Sequence, residues 1–256
     1  MPNDVSIAGN RRKRCILTFL TVLRPHFSFF GIDFYFITFY NFYEVIILRY
    51  PVMRGDEPFT IGSEPIPTTV KDFWAWSMSR LLADGPRGDL AEFIVNTALG
   101  IDTTDAKHGW GECDILYGGY RIEVKCSSLL QAWDRDTPPR PVFSISKTVN
   151  CDIKETESGL RYIGRDNLPP QRRSEIYIFC LFAHTERSSA DPLNLSQWQF
   201  YVVPTALINE RCGNRRSISF PGITNLGVTS CTFNGIKPKV DSIIDNLIKQ
   251  KEPQDN

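Results

Sequence analysis

The stretch GWGECDILYGGYRIEVKCSS, residues 109–128, determines the fold that this sequence predicts. A Gly-Gly pair at 118–119 separates two runs rich in Tyr, Ile, Leu and Val. Glycine accepts the positive φ of a two-residue hairpin turn, so the pattern predicts two antiparallel strands joined at this pair. The turn also sets the register, with Tyr117 opposite Tyr120 and each earlier residue opposite a correspondingly later one.

The same register brings two carboxylates together on one face of the hairpin. Asp114 is expected opposite Glu123 and Glu112 opposite Lys125, and strand alternation puts Asp114, Glu123 and Lys125 on the same face. Directly opposite Cβ atoms lie roughly 4.5–5.5 Å apart, where like charges repel unless something compensates them. Two carboxylates at that separation are suited to hold a hard divalent cation, so the hairpin predicts a metal site.

The alternative is an exposed hairpin whose outer face happens to be charged. Glu112 and Lys125 would then form a surface ion pair of small energy. This alternative accounts for Lys125 but poorly for Asp114 opposite Glu123, because residues paired on a surface usually carry opposite charges.

The composition is that of a globular protein without a net charge. The 256 residues are 42% hydrophobic and 23% charged, with 29 basic and 29 acidic side chains. This balance gives no support for nucleic-acid binding by the chain as a whole, so any basic surface must be local. Between residues 121 and 173 basic side chains modestly outnumber acidic ones.

The cysteines and histidines argue against a disulfide framework or a structural zinc site. The seven cysteines are odd in number and include no CxxC pair, and the three histidines are scattered. Cys113, Cys126 and Cys180 lie in apolar runs, where cysteine behaves as a small buried hydrophobic residue. We therefore expect no disulfide partner and a reducing, cytoplasmic environment.

Residues 1–52 differ in composition from the rest of the chain and have three interpretations. The part at 27–48 is crowded with Phe and Tyr but also contains charged residues. The extension would be a membrane anchor over residues 15–48, an added structural layer, or a translated leader upstream of a start at Met53. The break in composition favours the leader, so no membrane partner is expected unless residues 15–48 are a genuine anchor.

The remainder predicts a single domain over residues 53–250, followed by a disordered tail at 251–256. A polar loop at 54–67 precedes a helix at 69–83, whose tryptophans are expected in the core. That helix is expected to begin at a threonine N-cap and to stop at Gly85.

A second helix is expected to begin at Asp89 and end at Gly100, directly before the hairpin. Helical spacing places Glu92 on its apolar stripe. A buried carboxylate without a partner is costly, so Glu92 is expected to have one or to reach solvent. The alternative is a first-turn glutamate that the helix N-terminus stabilises.

Strand and helix patterns continue beyond the hairpin. Residues 174–185 are nearly all apolar and predict a central strand buried on both faces, and residues 197–204 predict a second strand followed by a short helix. Residues 141–147 alternate as a strand, whereas the polar segment 150–173 predicts a long surface loop. An apolar stripe after Pro238 predicts a final helix.

The order of these elements resembles the PD-(D/E)xK nuclease superfamily, which includes type II restriction endonucleases and many DNA-repair nucleases. The residues that carry the resemblance are Glu92 on the helix, Asp114 on the first strand and Glu-Val-Lys at 123–125 on the second. The likeness covers residues 89–204. One departure is Cys113, which stands where the motif has proline, although that proline is not a metal ligand.

The resemblance implies an α/β protein with a restriction endonuclease-like core, a mixed central β-sheet flanked by helices. It also implies an Mg²⁺-dependent endonuclease of the restriction or repair type, for which Mn²⁺ could substitute. Asp114, Glu123 and the backbone carbonyl of Val124 would bind the ion, and Glu92 would do so through water. Lys125 would orient or deprotonate the attacking water, or neutralise the phosphate.

Substrate contacts are also predicted. Ser127, Ser128 and Gln131 directly follow the motif and are candidates for phosphate contacts, with local turn formation as an equal alternative for the serines. Arg172 and Arg173 are candidates to follow a nucleic-acid backbone, with solvated loop charges as the alternative.

The expected partner is DNA, and the resemblance leaves a homodimer open. The alternative function is a catalytically silent DNA-binding or interaction module of the same fold. An intact set of Glu92, Asp114, Glu123 and Lys125 argues for the enzyme, because a degenerate copy should have lost at least one of them.

Overall fold

A computed structural model shows two compact units, Met1–Leu48 and Arg49–Asn256. The structure describes residues 52–104, 107, 113–133, 137, 139–148 and 169–250, and, as backbone elements alone, 28–29, 32–33, 151–156, 159–164 and 251. The first unit contains an antiparallel pair of short strands, β1 (Ser28–Phe29) and β2 (Ile32–Asp33). Apart from these strands and Val52, the predicted N-terminal extension lies outside the described residues, as do the tail after residue 251 and Glu112. No helix in the described ranges is long and apolar enough to cross a membrane.

The second unit alternates strands and helices. Its elements are, in chain order, β3 (Pro58–Ile61), β4 (Glu64–Thr69), α1 (Val70–Met78), α2 (Asp84–Leu99), β5 (Ile115–Tyr117), β6 (Tyr120–Ser128), β7 (Val142–Ser144), β8 (Cys151–Thr156), β9 (Gly159–Gly164), β10 (Ile176–Phe182), β11 (Trp198–Pro204), α3 (Thr205–Cys212), β12 (Ser217–Ser219), α4 (Phe220–Thr224) and α5 (Ile236–Lys251). Short 3₁₀ turns lie at Arg187–Ser189, Leu195–Gln197 and Phe233–Gly235.

A four-stranded sheet in the order β11-β10-β6-β5 forms the centre of this unit. Strand β10 pairs antiparallel with β11 and parallel with β6, whereas β6 pairs antiparallel with β5. The sheet is therefore mixed, and helices flank it, so the predicted α/β class with a mixed central sheet is confirmed.

The β5–β6 hairpin has the predicted turn and register. Gly118 and Gly119 have φ values of 57° and 81°, and Tyr117 pairs with Tyr120. The first strand is shorter than predicted, because β5 begins only at Ile115. The second is longer, because pairing with β10 continues along β6 as far as Ser128.

All seven residues of β10 are buried, as its apolar sequence predicts. The α2-side core lies on one face of the sheet, where Ile122 and Val124 of β6 pack with residues of α2 and α5. The α3-side core lies on the other face, where Phe179 of β10 packs with residues of β7, β11, α3 and α4. Because side chains alternate along β6, Glu123 must point toward the α3-side face.

Helix α2 is longer than predicted. It begins at Asp84 rather than Asp89, and Gly85 does not stop the preceding helix but lies in the first turn of this one. Pro86 occupies that turn without cost, because the first N–H groups of a helix have no intrahelical acceptor. The end at Gly100 is confirmed, with φ 72° in the left-handed region.

Two segments predicted as loops contain strands. Residues 54–67 include β3 and most of β4, which pair around a turn at Gly62. Prolines suggested a loop here, but an edge strand tolerates residues that lack an N–H donor. Likewise, the segment 150–173 contains the paired strands β8 and β9. Pairing between the two strands satisfies their backbone N–H and C=O groups. A polar sequence without periodicity gives no sign of this pairing.

The prediction that the tryptophans of α1 lie in the core is wrong. The helix begins with the predicted cap, in which Thr69 and Asp72 bond reciprocally, but it contains no buried residue. Trp74 is 39% exposed and Trp76 83% exposed. Trp74 packs closely against Gly55, which precedes β3, and α1 also contacts β4.

The final helix confirms the predicted apolar stripe but begins before Pro238, at Ile236. Its buried residues Val240 and Ile244 pack in the α2-side core. The tip of the β5–β6 hairpin is held to α5 because the hydroxyl of Tyr117 donates to Asp241 at 2.9 Å. The helix therefore fixes the end of the hairpin opposite the charged residues.

We expect Phe179→Ala and Trp76→Ala to differ sharply in their effect on stability. Phe179 is fully buried, so its truncation should lower the free energy of unfolding by about 3–5 kcal/mol. Trp76 is mostly exposed, so its truncation should change that free energy by no more than about 0.5 kcal/mol. Urea denaturation of both variants measures the difference. Equal losses would contradict the exposed position of α1.

Candidate active site

Asp114 lies directly before β5, at the edge of the sheet. Its Oδ2 accepts a hydrogen bond from the backbone N–H of Val124 at 2.7 Å. Because β5 begins at Ile115, the carboxylate of Asp114 takes the place that a backbone acceptor would have in a longer strand. This bond holds the aspartate against β6 at the level of the Glu-Val-Lys motif.

The backbone carbonyl of Val124 points toward the β5 edge of the sheet, where Asp114 lies. The backbone N–H and C=O groups of successive residues along β6 point alternately toward β10 and toward β5. The Arg121 carbonyl and the Leu129 N–H both bond on the β10 side, so the even-numbered residues between them direct these groups toward β5. The N–H and C=O of one strand residue point to the same side, and the Val124 N–H meets Asp114 on the β5 side. The Val124 carbonyl is therefore directed to the side of the sheet on which Asp114 lies.

Lys125 joins the two carboxylates of the hairpin. Its Nζ lies 2.5 Å from Glu123 Oε1 and 3.7 Å from Asp114 Oδ2, and all three side chains are partly exposed. The structure thus brings together the three residues that strand alternation put on one face. Like charges are tolerated there because an ammonium group lies between them.

The charge state of Lys125 depends on burial and on its two carboxylate neighbours. Burial lowers the pKa of its ammonium group, but the carboxylates of Glu123 and Asp114 outweigh burial, so its pKa is raised above the ordinary value. The side chain therefore stays protonated at neutral pH. In this arrangement it can donate hydrogen bonds and offset negative charge.

Glu92 has a partner that the sequence did not reveal. Its side chain is 18% exposed, and Oε2 lies 2.8 Å from the Nζ of Lys107. The same ammonium group donates to Asp89 at 2.6 Å. Burial raises the pKa of Glu92, and the carboxylate of Asp114 raises it further. Glu92 is therefore electrostatically part of the same cluster.

The second oxygen of Glu123 also has a donor that sequence reasoning missed. The hydroxyl of Ser174, which lies two residues before β10, donates to Glu123 Oε2 at 3.2 Å. Tyr177 lies beside Glu123 in the parallel register. Burial raises the pKa of the Tyr177 hydroxyl to about 12, and the Glu123 carboxylate adds to this effect. These neighbours follow from the β6–β10 register, which local sequence does not specify.

The donor atoms of the cluster suit a hard divalent cation in chemical type. Asp114, Glu123 and Glu92 supply carboxylate oxygens, and Val124 supplies a carbonyl on the same edge, which are the ligands that Mg²⁺ prefers. Within the described ranges, however, no three His, Cys, Asp or Glu side chains are arranged so that they could hold a metal ion. The positive charges among these oxygens belong to Lys125 and Lys107.

Of the three phosphate contacts predicted after the motif, Ser128 has a local hydrogen-bonding role, and those of Ser127 and Gln131 remain predictions. Ser127 and Ser128 are buried residues at the end of β6. The hydroxyl of Ser128 donates to the Leu130 carbonyl at 2.5 Å and accepts from the Leu130 N–H at 3.0 Å. This is the turn-forming alternative. Gln131 is half-buried, and its carbonyl accepts a hydrogen bond from Arg187.

The predicted DNA contact of Arg172 is corrected by its position. Arg172 is buried, and its guanidinium donates to the side chain of Asn209 and to three backbone carbonyls, those of Ile145, Gly213 and Arg215. A guanidinium satisfied inside the protein is not available to a phosphate. Arg173 is half-buried, and its predicted contact with DNA remains a prediction.

Comparisons of the chain with protein-family models, with curated proteins and with solved structures gave no match. The nuclease hypothesis therefore depends on the motif residues and on the geometry of the cluster that they form. Fold-level likeness to a protein of known activity adds nothing to it.

We expect Arg172→Lys to destabilise the protein, whereas Arg140→Lys on the exposed surface should not. A lysine cannot reach the four acceptors that the guanidinium bonds, so buried groups lose partners and the free energy of unfolding should fall by about 2–4 kcal/mol. Urea denaturation measures the loss. Unchanged stability together with weaker DNA binding would restore the prediction from sequence.

We expect the free energy of unfolding of Glu92→Gln, measured relative to that of the wild type, to increase as pH rises. The raised pKa means that the folded state disfavours the carboxylate form. The wild type therefore loses stability as pH rises from about 4 through the raised pKa, whereas the glutamine variant does not. Thermal unfolding at several pH values between about 4 and 7 measures the difference.

The exposed Glu210 is a matched control for this titration. Glu210→Gln makes the same change of charge on the surface and provides the baseline for the comparison. A constant difference between Glu92→Gln and the wild type over the whole range would show that Glu92 ionises as freely in the folded protein as in the unfolded chain.

Proposed function

We propose that this protein is a metal-dependent nuclease that hydrolyses DNA phosphodiester bonds, as a restriction- or repair-type endonuclease. The observation that carries the proposal is the meeting of Asp114, Glu123 and Lys125 at one edge of the sheet, with Lys125 Nζ 2.5 Å from Glu123 and 3.7 Å from Asp114. Two acidic groups with an ammonium group between them match the chemistry that phosphodiester hydrolysis requires.

The order of elements around the cluster supports a restriction endonuclease-like core. Helix α2 carries Glu92, the β5–β6 hairpin carries the other three residues, and β10 and β11 extend the sheet. Helix α2 packs against the hairpin on the α2-side face, and the carboxylate of Asp114 contributes to the raised pKa of Glu92. We also propose a cytoplasmic location, because the odd number of cysteines and the absence of CxxC pairs fit a reducing environment.

The chain's own residues would divide the work of hydrolysis. Asp114, Glu123 and the Val124 carbonyl would hold Mg²⁺ or Mn²⁺, and Glu92 would do so through water. When bound, such an ion polarises the scissile phosphate and lowers the pKa of a coordinated water.

Lys125 would stabilise the negative charge that develops on the phosphate. Its raised pKa keeps it cationic at neutral pH, and its partial burial strengthens electrostatic interactions relative to bulk water. It could also orient the attacking water by donating a hydrogen bond. Deprotonation of that water by Lys125 is the alternative role, because a bound ion would offset the carboxylate charges that raise the pKa of Lys125.

A catalytically silent DNA-binding or interaction module is the second candidate. Lys125 and Lys107 already compensate the carboxylates of the cluster, so the charged residues are stabilised without a metal ion. A module of this kind would bind DNA or a protein and would show no metal-dependent hydrolysis. The substrate assay below separates the two candidates.

We expect the full-length protein to cleave plasmid DNA with Mg²⁺ or Mn²⁺ and to be inactive with EDTA. Asp114→Asn removes a ligand and Lys125→Met removes the compensating cation, so each should lower the cleavage rate by at least about 100-fold. Agarose gel analysis of nicked and linear products, with single-stranded and branched DNA as further substrates, measures the rates.

Asp245→Asn and Lys249→Met are matched controls, because both residues are exposed on α5. They carry the same changes of charge and should cleave at the wild-type rate. Cleavage that persists in Asp114→Asn would remove the site assignment. The absence of metal-dependent cleavage on all substrates would favour the silent module.

A further inference from the structure

We propose that Ser174 is a positioning residue for the metal-ligating carboxylate of Glu123, an inference that rests on the proposed function. Its hydroxyl donates to Glu123 Oε2 at 3.2 Å, while Lys125 contacts Oε1 at 2.5 Å. The two carboxylate oxygens therefore have two different donors, one on β6 and one in the segment before β10. A carboxylate held at both oxygens has a fixed plane, and Oε1 is the oxygen presented to the cluster.

Ser174 is itself held rigidly. It is 3% exposed, and its carbonyl accepts a hydrogen bond from the hydroxyl of Thr205 at 2.6 Å. Thr205 is the first residue of α3, and its backbone N–H donates to the carbonyl of Glu175 at 2.9 Å. The start of α3 thus fixes the backbone immediately before β10, and with it the position of the Ser174 hydroxyl.

A second contact fixes the same backbone to β6. The side chain of Glu175 accepts hydrogen bonds from the backbone N–H of Arg121 at 2.8 Å and from its guanidinium. In return, the Arg121 carbonyl accepts from the Glu175 N–H at 2.9 Å. The strand that carries Glu123 and the residue that carries the positioning hydroxyl are therefore joined within two residues of the Ser174–Glu123 bond.

This arrangement should matter for binding a cation. A ligating carboxylate that is already oriented by a hydrogen bond loses less freedom when it coordinates a metal ion, and removing such a partner weakens metal affinity about 10- to 100-fold. A buried serine with a merely structural role would instead affect stability and leave metal affinity unchanged. The two roles therefore differ in a quantity that can be measured without DNA.

The test is titration of the full-length protein with Mn²⁺ by isothermal calorimetry. Ser174→Ala should raise the Mn²⁺ dissociation constant by about 10-fold. Ser174→Thr keeps the hydroxyl and should restore most of the affinity. The matched control is Ser128→Ala, which removes an equally buried hydroxyl that bonds to Leu130, and it should change the dissociation constant less than about twofold.

Thermal unfolding of each variant identifies those that fold. Should Ser174→Ala fail to fold, Thr205→Val provides a second route, because it removes the hydroxyl that holds the Ser174 carbonyl while keeping the side-chain shape. Thr205→Val should also raise the Mn²⁺ dissociation constant.

The outcomes separate this inference from the proposed function. Equal Mn²⁺ affinity in the wild type and Ser174→Ala, or in the wild type and Thr205→Val when the alanine variant is unfolded, would overturn the positioning role and leave the nuclease proposal standing. A wild-type protein that binds no Mn²⁺ would overturn the metal site and the positioning role together.

Discussion

Strand β6 runs parallel to β10, with Glu123 beside Tyr177 and Lys125 beside Phe179. This pairing decides where every side chain of β6 lies. It directs Ile122 and its alternate neighbours into the α2-side core, where α2 and α5 cover them. The motif carboxylate and ammonium must then point to the opposite face, because a one-residue slip of the register would bury both charges among apolar residues.

The site exists because the outer strand of the sheet is short. Strand β5 contains only three residues, so β6 extends past its partner, and the side chain of Asp114 bonds the Val124 N–H there. The backbone groups of an unpaired strand edge require partners from elsewhere, and a carboxylate can supply an acceptor. In a longer β5 a backbone carbonyl would accept the hydrogen bond from the Val124 N–H instead of the Asp114 carboxylate.

The charges of the cluster are balanced from several parts of the chain. Lys125 comes from the hairpin itself, and Lys107 approaches Glu92 from the connection between α2 and the hairpin. Removing partly buried carboxylates from water is costly unless each is paired or hydrogen-bonded, and every acidic residue of the cluster has such a contact.

The sequence by itself determined the elements whose signals are local. The Gly-Gly pair specified the hairpin turn and its register, the continuous apolar run specified β10 as a strand buried on both faces, and Gly100 ended α2. From these, the meeting of Asp114, Glu123 and Lys125 could be predicted, since residues on one hairpin are neighbours through a turn of known length.

Only the tertiary structure decided which residues meet across long separations in the chain. Nothing local distinguishes Arg172, which bonds inside the protein, from a solvated loop arginine, or an exposed Trp76 from a buried one. Glu92 pairs with Lys107, and Glu123 accepts a hydrogen bond from Ser174. Both contacts depend on how α2 and β10 pack against the hairpin. Periodicity and turn chemistry act over a few residues, whereas burial and ion pairing depend on which surfaces the folded chain brings together.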